Sequence, residues 1–183
     1  MKRVLLLCAF VAAASASVFA QKTTAFAEKP AFVTAVGQSA DFEMVKILLQ
    51  RNNIPFSADT LIKADKLDSS FKTLILVVGG SSKGLGAAGI SADQELERAQ
   101  ALLKKAQELK MTIITVHLGG AQRRGPMSDG FIKLCVPVSD YVIIVQTGDE
   151  DGLFTQMTQK KGIALTKVAR ISLAGAPLAA AFK

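Results

Sequence analysis

Four short stretches limit what this chain can become more than anything else in it. AFVTAV (31–36), TLILVV (73–78), MTIITVHL (111–118) and YVIIVQ (141–146) are almost wholly apolar and rich in β-branched residues. A strand with one wet face alternates apolar and polar side chains. A run without that alternation is buried on both faces, as strands inside a parallel sheet are. Parallel neighbours need crossovers instead of hairpins, and the stretches between these runs are helical in pattern. Asp41 to Asn52 places Phe42, Val45, Leu48 and Leu49 on one side, and Ala92 to Lys110 repeats Leu96, Ala99, Leu103 and Ala106 at three- and four-residue spacing. Ser91 with Gln94 three residues on is a helix start. Ser128 is placed as the cap of a short helix through Cys135, Asp149 or Glu150 opens another through Lys161, and Pro177 to Phe182 forms a last turn. IPFSADTLI and GIALT are weaker strand candidates. Strands alternating with helices predict a three-layer αβα sandwich around a mostly parallel sheet of five or six strands, flavodoxin-like or Rossmann-like.

The first twenty residues stand apart from this pattern. MKR carries positive charge, Val4 to Ala20 carries none, and Val18-Phe19-Ala20 has the small-residue form cut by a signal peptidase. The expectation is a cleavable signal peptide over 1–20, an exported protein (periplasmic or secreted), and no stable membrane insertion after cleavage. A flexible lead over 21–30 and a single α/β domain over 31–183 would follow. The part beyond residue 20 keeps 20 of the 22 basic residues and all 15 acidic ones, a mild excess of positive charge spread along the chain. Nucleic-acid binding calls for a basic stripe with aromatics to stack on, and this chain has one Tyr and no Trp. No nucleic-acid partner is expected. Cys135 sits in the apolar context FIKLCVP and reads as a buried, inert thiol, while one His and one cysteine beyond the leader give no metal-ligand cluster. No metal and no cofactor are expected.

GGSSKGLGAAGIS (79–91), directly after TLILVV, contains G-x-G-x-x-G at Gly84, Gly86 and Gly89 and resembles a dinucleotide loop. Its context argues against that. The best helix cap, Ser91, lies beyond the last glycine, so the glycines fall in a loop of about twelve residues. The next strand ends in His117 and Leu118 and not in the acid expected about 20 residues on. No Lys stands four residues after Tyr141, as the short-chain dehydrogenases require. The remaining readings are a flexible surface flap and a ligand loop whose glycines free backbone N–H groups to face an anion.

The loops that follow the four strong strands all leave one edge of a parallel sheet, the edge where ligands bind in such folds. They bring together Gln38, Ser39, Ser81, Ser82, Lys83, Gly84, Gly86, His117, Arg123, Arg124, Ser128 and Asp149 as candidate ligand-binding residues. Lys83 offers a point charge, and Arg123 and Arg124 offer planar forks for carboxylate or phosphate. Singly, each has a plain structural role open to it: caps for Ser39 and Asp149, solvated charges for the arginines, a hydrogen-bonded strand end for His117.

VGQSADFEMVK, GGSSKGLGAAGIS, HLGGAQRRGPMSD, DYVIIVQTGDEDGLF and GIALT together resemble an uncharacterised family of exported bacterial proteins, known as a domain of unknown function. The likeness spans nearly all of residues 31–183 and implies that these loops act as one unit; it implies no activity. The expected function is binding of a small anionic or polar ligand at the C-terminal edge of the sheet. The alternatives are a hydrolase-type enzyme using His117 with nearby Ser or Asp residues, although no G-x-S-x-G elbow exists, and a protein-interaction domain.

Overall fold

Every residue of AFVTAV and of TLILVV is buried, and these two runs pair in parallel from Ala31 opposite Thr73 to Val36 opposite Val78. They form the middle of a sheet seen in a computed structural model, which describes residues 25–183. The expected signal segment, 1–20, lies outside the described residues. In chain order the elements are β1 (Ala31–Val36), α1 (Asp41–Arg51), β2 (Phe56–Ala58), β3 (Thr73–Val78), α2 (Ser82–Ala87), α3 (Ala92–Glu108), β4 (Thr112–His117), α4 (Pro126–Cys135), β5 (Tyr141–Val145), α5 (Leu153–Lys161), β6 (Ala164–Val168) and α6 (Gly175–Ala181). All strand pairs are parallel and the order is β2-β1-β3-β4-β5-β6, the flavodoxin-like arrangement.

Because successive strand residues face opposite sides, each apolar run feeds two cores. Val33, Ala35, Ile75, Val77, Val116 and Ile143 meet Phe42, Val45 and Leu49 of α1 and Leu178 of α6. Leu74, Leu76, Ile113, Val142 and Ile144 meet Leu102 and Leu103 of α3, Phe131 and Ile132 of α4 and Phe154 of α5. Each of the larger side chains among these contributes roughly 1.5–3 kcal/mol on leaving water, so the sheet is held from both sides. Cys135 is in the second core, where burial pushes its thiol up to about 12, as an inert thiol requires.

Three local expectations give way to physical detail. Residues 82–87 form α2, where a loop was expected. Pro126 opens α4, so Ser128 is not its cap; Ser128 is buried two residues inside the helix and accepts the N–H of Gly80 at 2.9 Å. Part of the lead expected to be flexible is seated. The N–H groups of Phe26 and Ala27 donate to Ala181, Lys183 donates back to Ala27, and Ala27 is fully buried.

Candidate functional site

The chain leaves β1 toward β2 on one side and returns to β3 on the other, so the connections diverge between β1 and β3. Crevices open at such points outside the carboxyl ends of the strands. Here the flanking loops are stitched together: Gly79 N–H donates to Val36, and Ser81 N–H to Gly37, at 3.0 and 2.8 Å.

Two of the glycines in this stretch have plain structural causes, close packing at Gly84 and a left-handed backbone at Gly89. Ser81 caps α2 by accepting the N–H of Gly84 at 3.1 Å. A methyl group on Gly84 would stand 2.0 Å from the Gln38 carbonyl oxygen, so only glycine lets α2 lie on the β1 loop. Gly89, at φ +69°, ends the helix with its N–H on Gly86 while Ile90 donates to Leu85, a Schellman closure. The N–H groups of Gly79, Gly80, Gly84 and Gly89 are therefore all taken within the protein. Ser82 and Gly86 are exposed, and nothing lies within 4 Å of the position a Gly86 side chain would take.

Beneath the crevice lies a pair that the charged-loop reading missed. Glu95, fully buried on α3, accepts the N–H of Gly37 at 2.8 Å and the side-chain amide of Gln38 at 3.0 Å. Arg98 closes on it at 2.7 Å and donates onward to the carbonyls of Ile62 and Ala35. Gln38, held at φ 58°, also donates to Thr60, so its side-chain amide is spent. Glu95 was visible in sequence as the one charge on the stripe that continues through Ala99, Leu102, Leu103 and Ala106. A buried carboxylate needs a cation and several donors, and Arg98 stands three residues on.

Above this pair is a crevice of about 410 Å³ whose lining includes Gln38, Ser39, Ser81, Lys83, Gly84 and Arg123. Six of the predicted residues are thus brought together. Ser39, buried, accepts the N–H of Asp41 at 3.2 Å at the start of α1. Glu43 also lines the crevice and pairs with Lys46 at 2.8 Å. The ion pairs among the described residues include neither Lys83 nor Arg123. Across Arg123 lies a second cleft of about 390 Å³, reached by Asp41, Leu118, Gly119 and Gln122.

Of the predicted residues outside this crevice, Ser82 and Gly86 are exposed positions on α2, Ser128 holds Gly80, and Arg124, Asp149 and His117 lie toward β4 and β5 and are spent on the fold. Arg124 binds Asp129 at 2.7 Å and Asp151 at 2.8 and 2.9 Å, donates to the Gly148 carbonyl, and lies over the Phe154 ring. Its hydrogen bonds hold the carboxyls of Asp129 and Asp151 below the usual range, Asp151 at about 2. Asp149 accepts the N–H groups of Phe154 and Thr155 and the Thr155 hydroxyl, and meets Lys167 at 2.7 Å. Burial pushes its carboxyl up, but the ammonium and these donors outweigh burial and leave it lowered. Asp149 thus serves the first N–H groups of α5, but the helix opens at Leu153, with Gly152 before it, and not at Asp149 or Glu150.

His117 is fully buried at the end of β4. Nδ1 faces the Val78 carbonyl at 2.9 Å and Nε2 the Gly120 carbonyl at 3.3 Å, so its ring hydrogen-bonds no serine and no carboxylate. Burial lowers its pKa against the pull of both carbonyls. Among the described residues no three His, Cys, Asp or Glu side chains converge as a metal site requires.

Several solved structures are similar to this chain at a low level. They include the psychrotrophic esterase EstA from Pseudoalteromonas sp. (15% identical, 75% of this chain and 76% of that one, TM-score 0.36). A GDSL-like lipase from Bacteroides thetaiotaomicron is 10% identical over 75% of this chain and 66% of that one, with TM-score 0.34. AlinE4, an SGNH-hydrolase family esterase, is 11% identical over 75% and 76%, with TM-score 0.31. Likenesses this distant assign neither a site nor a chemistry. No curated protein matches the sequence. The family model described as Domain of unknown function (DUF6305) matches residues 28–182, and the chain belongs to that family.

Proposed function

We propose that this domain binds a small anionic or polar molecule in the crevice between the carboxyl ends of β1 and β3. The observation that carries the reading is the pair Lys83 and Arg123, cations with no carboxylate partner among the described residues, which line one crevice with Ser39 and Ser81. Toward β4 and β5, by contrast, Arg124, Asp129, Asp149 and Asp151 are paired within the protein. An ammonium and a guanidinium left open in one crevice suit a carboxylate or a phosphate, the guanidinium by two parallel hydrogen bonds and the ammonium as a point charge. Glu95 and Arg98 keep the floor rigid by holding Gly37 and Gln38, which spares the ligand the cost of ordering them.

The test is calorimetric titration at low ionic strength with inorganic phosphate and with acetate. Saturable binding is expected, and Lys83→Ala and Arg123→Ala should each weaken it about tenfold, or about 1.4 kcal/mol. Arg124→Ala should leave it unchanged, since that guanidinium is already committed. Absence of saturable binding, or loss in Arg124→Ala alone, would overturn the proposal.

A further inference from the structure

The fold treats its acids unequally. Glu95 is buried and answered by Arg98, and Asp149 is buried and answered by Lys167. At Asp41, in the first turn of α1, one carboxylate oxygen, Oδ2, is buried with no hydrogen-bond partner. It is the only buried side-chain nitrogen or oxygen among the described residues in that condition. No cation among the described residues pairs with Asp41 either. An unanswered carboxylate oxygen out of water costs free energy that the fold avoids everywhere else in its described part.

Its neighbourhood supplies a reason. A methyl group on Gly119 would stand 2.8 Å from Asp41 Oδ2 and 1.9 Å from Arg123 Cγ, so a glycine there lets the acid and the arginine stem meet at one point. Arg123 lines the β1–β3 crevice on one side and the cleft holding Asp41 on the other. An acid and two bases, Lys83 and Arg123, all without an ionic partner among the described residues, thus occupy adjoining clefts that share one wall.

We infer that the ligand of this site is a small zwitterion, with an ammonium for Asp41 and a carboxylate for Arg123 and Lys83 on one short skeleton. The inference rests on the crevice reading and adds the charge pattern of the molecule that fills it. A simple anion would leave Asp41 unanswered and place a second negative charge beside it. A simple cation would face Arg123 and Lys83. A molecule with both signs answers all three groups, and its N–H donors supply the bond that Oδ2 lacks.

The experiment compares acetate, methylammonium, glycine and 4-aminobutyrate as probes of the wild-type protein by calorimetry, then repeats the series on Asp41→Asn. The expected result is that one of the two zwitterions binds at least tenfold more tightly than acetate and that methylammonium does not bind. Asp41→Asn should weaken zwitterion binding to the affinity that acetate has for the same variant, while acetate, relieved of the negative charge beside it, binds no more weakly than to the wild type. The wild-type series decides the matter by itself if the variant fails to fold. Acetate binding as tightly as both zwitterions would overturn this inference and leave the crevice reading standing, whereas silence toward all four probes and toward phosphate would overturn both.

Discussion

Two halves of one sheet edge carry similar residues and use them in opposite ways. Beside β4 and β5, Arg124 is joined to two carboxylates and a carbonyl, Asp149 to Lys167 and the start of α5, and His117 to two carbonyls. Beside β1 and β3, Lys83, Arg123 and Asp41 have no ionic partner among the described residues. Position at the ligand edge of a parallel sheet is therefore not enough to make a binding residue. What separates scaffold from site is whether a side chain's donors and acceptors are already satisfied by the protein. Arg123 and Arg124, adjacent in sequence, fall on opposite sides of that line.

The comparison can be broken most severely at the support beneath the open half. Glu95→Ala would strand Arg98 and leave the N–H of Gly37 without its acceptor, and breaking such a buried pair costs roughly 3–5 kcal/mol. Urea denaturation should show that loss. A change below about 1 kcal/mol would mean that the pair does not hold the crevice floor.

The next largest effect is on the closed half. Arg124→Ala removes charge-assisted bonds to Asp129 and Asp151 and should cost about 2 kcal/mol, whereas Arg123→Ala, with no ionic partner to lose, should stay within about 0.5 kcal/mol. Acid titration sharpens the contrast. Asp129, Asp149 and Asp151 are lowered in the folded protein, so their stabilisation is present above the ordinary carboxylate range and is lost as pH falls from about 4 toward 2. That loss should flatten in Arg124→Ala and persist in Arg123→Ala. His117 is lowered as well, so the folded protein disfavours its protonation, and stability should begin to decline as pH falls below about 6.5. His117→Gln should remove that upper decline; an unchanged profile would contradict the buried neutral imidazole.

The glycines of α2 divide in the same way. Gly84→Ala would press a methyl group onto the Gln38 carbonyl and should cost about 1–3 kcal/mol. Gly86→Ala meets nothing and should stabilise by about 0.5–1 kcal/mol, because glycine is the poorer helix former. Equal effects in thermal melts would contradict the packing account of these glycines.

The layering was legible because TLILVV and YVIIV have both faces buried, and a sequence of that kind has few other places to go. α3 announced itself through Ser91 and Gln94, which form the capping box seen in the structure. β2 was faint because it has three residues, two of them exposed. α2 was hidden because its glycines count against a helix; it forms because Ser81 caps it, Gly89 closes it and Gly84 lets it rest on Gln38. At the site, topology alone gathered the loops. It could not show that Arg124 reaches Asp151, 27 residues on, or that Asp149 reaches Lys167, since those choices are made by tertiary packing. Glu95 was missed, although an acid on the buried stripe of α3 with Arg98 three residues on is a signal the sequence carries.

The most direct test of the division between the halves is an amide NMR titration of the wild-type protein with inorganic phosphate, mapped residue by residue. The account predicts saturable shifts concentrated at residues 37–43, 81–87 and 119–123, absent in the Lys83→Ala, Arg123→Ala double variant and retained in Arg124→Ala. Shifts centred on residues 124–129 and 147–155 and abolished by Arg124→Ala would contradict it.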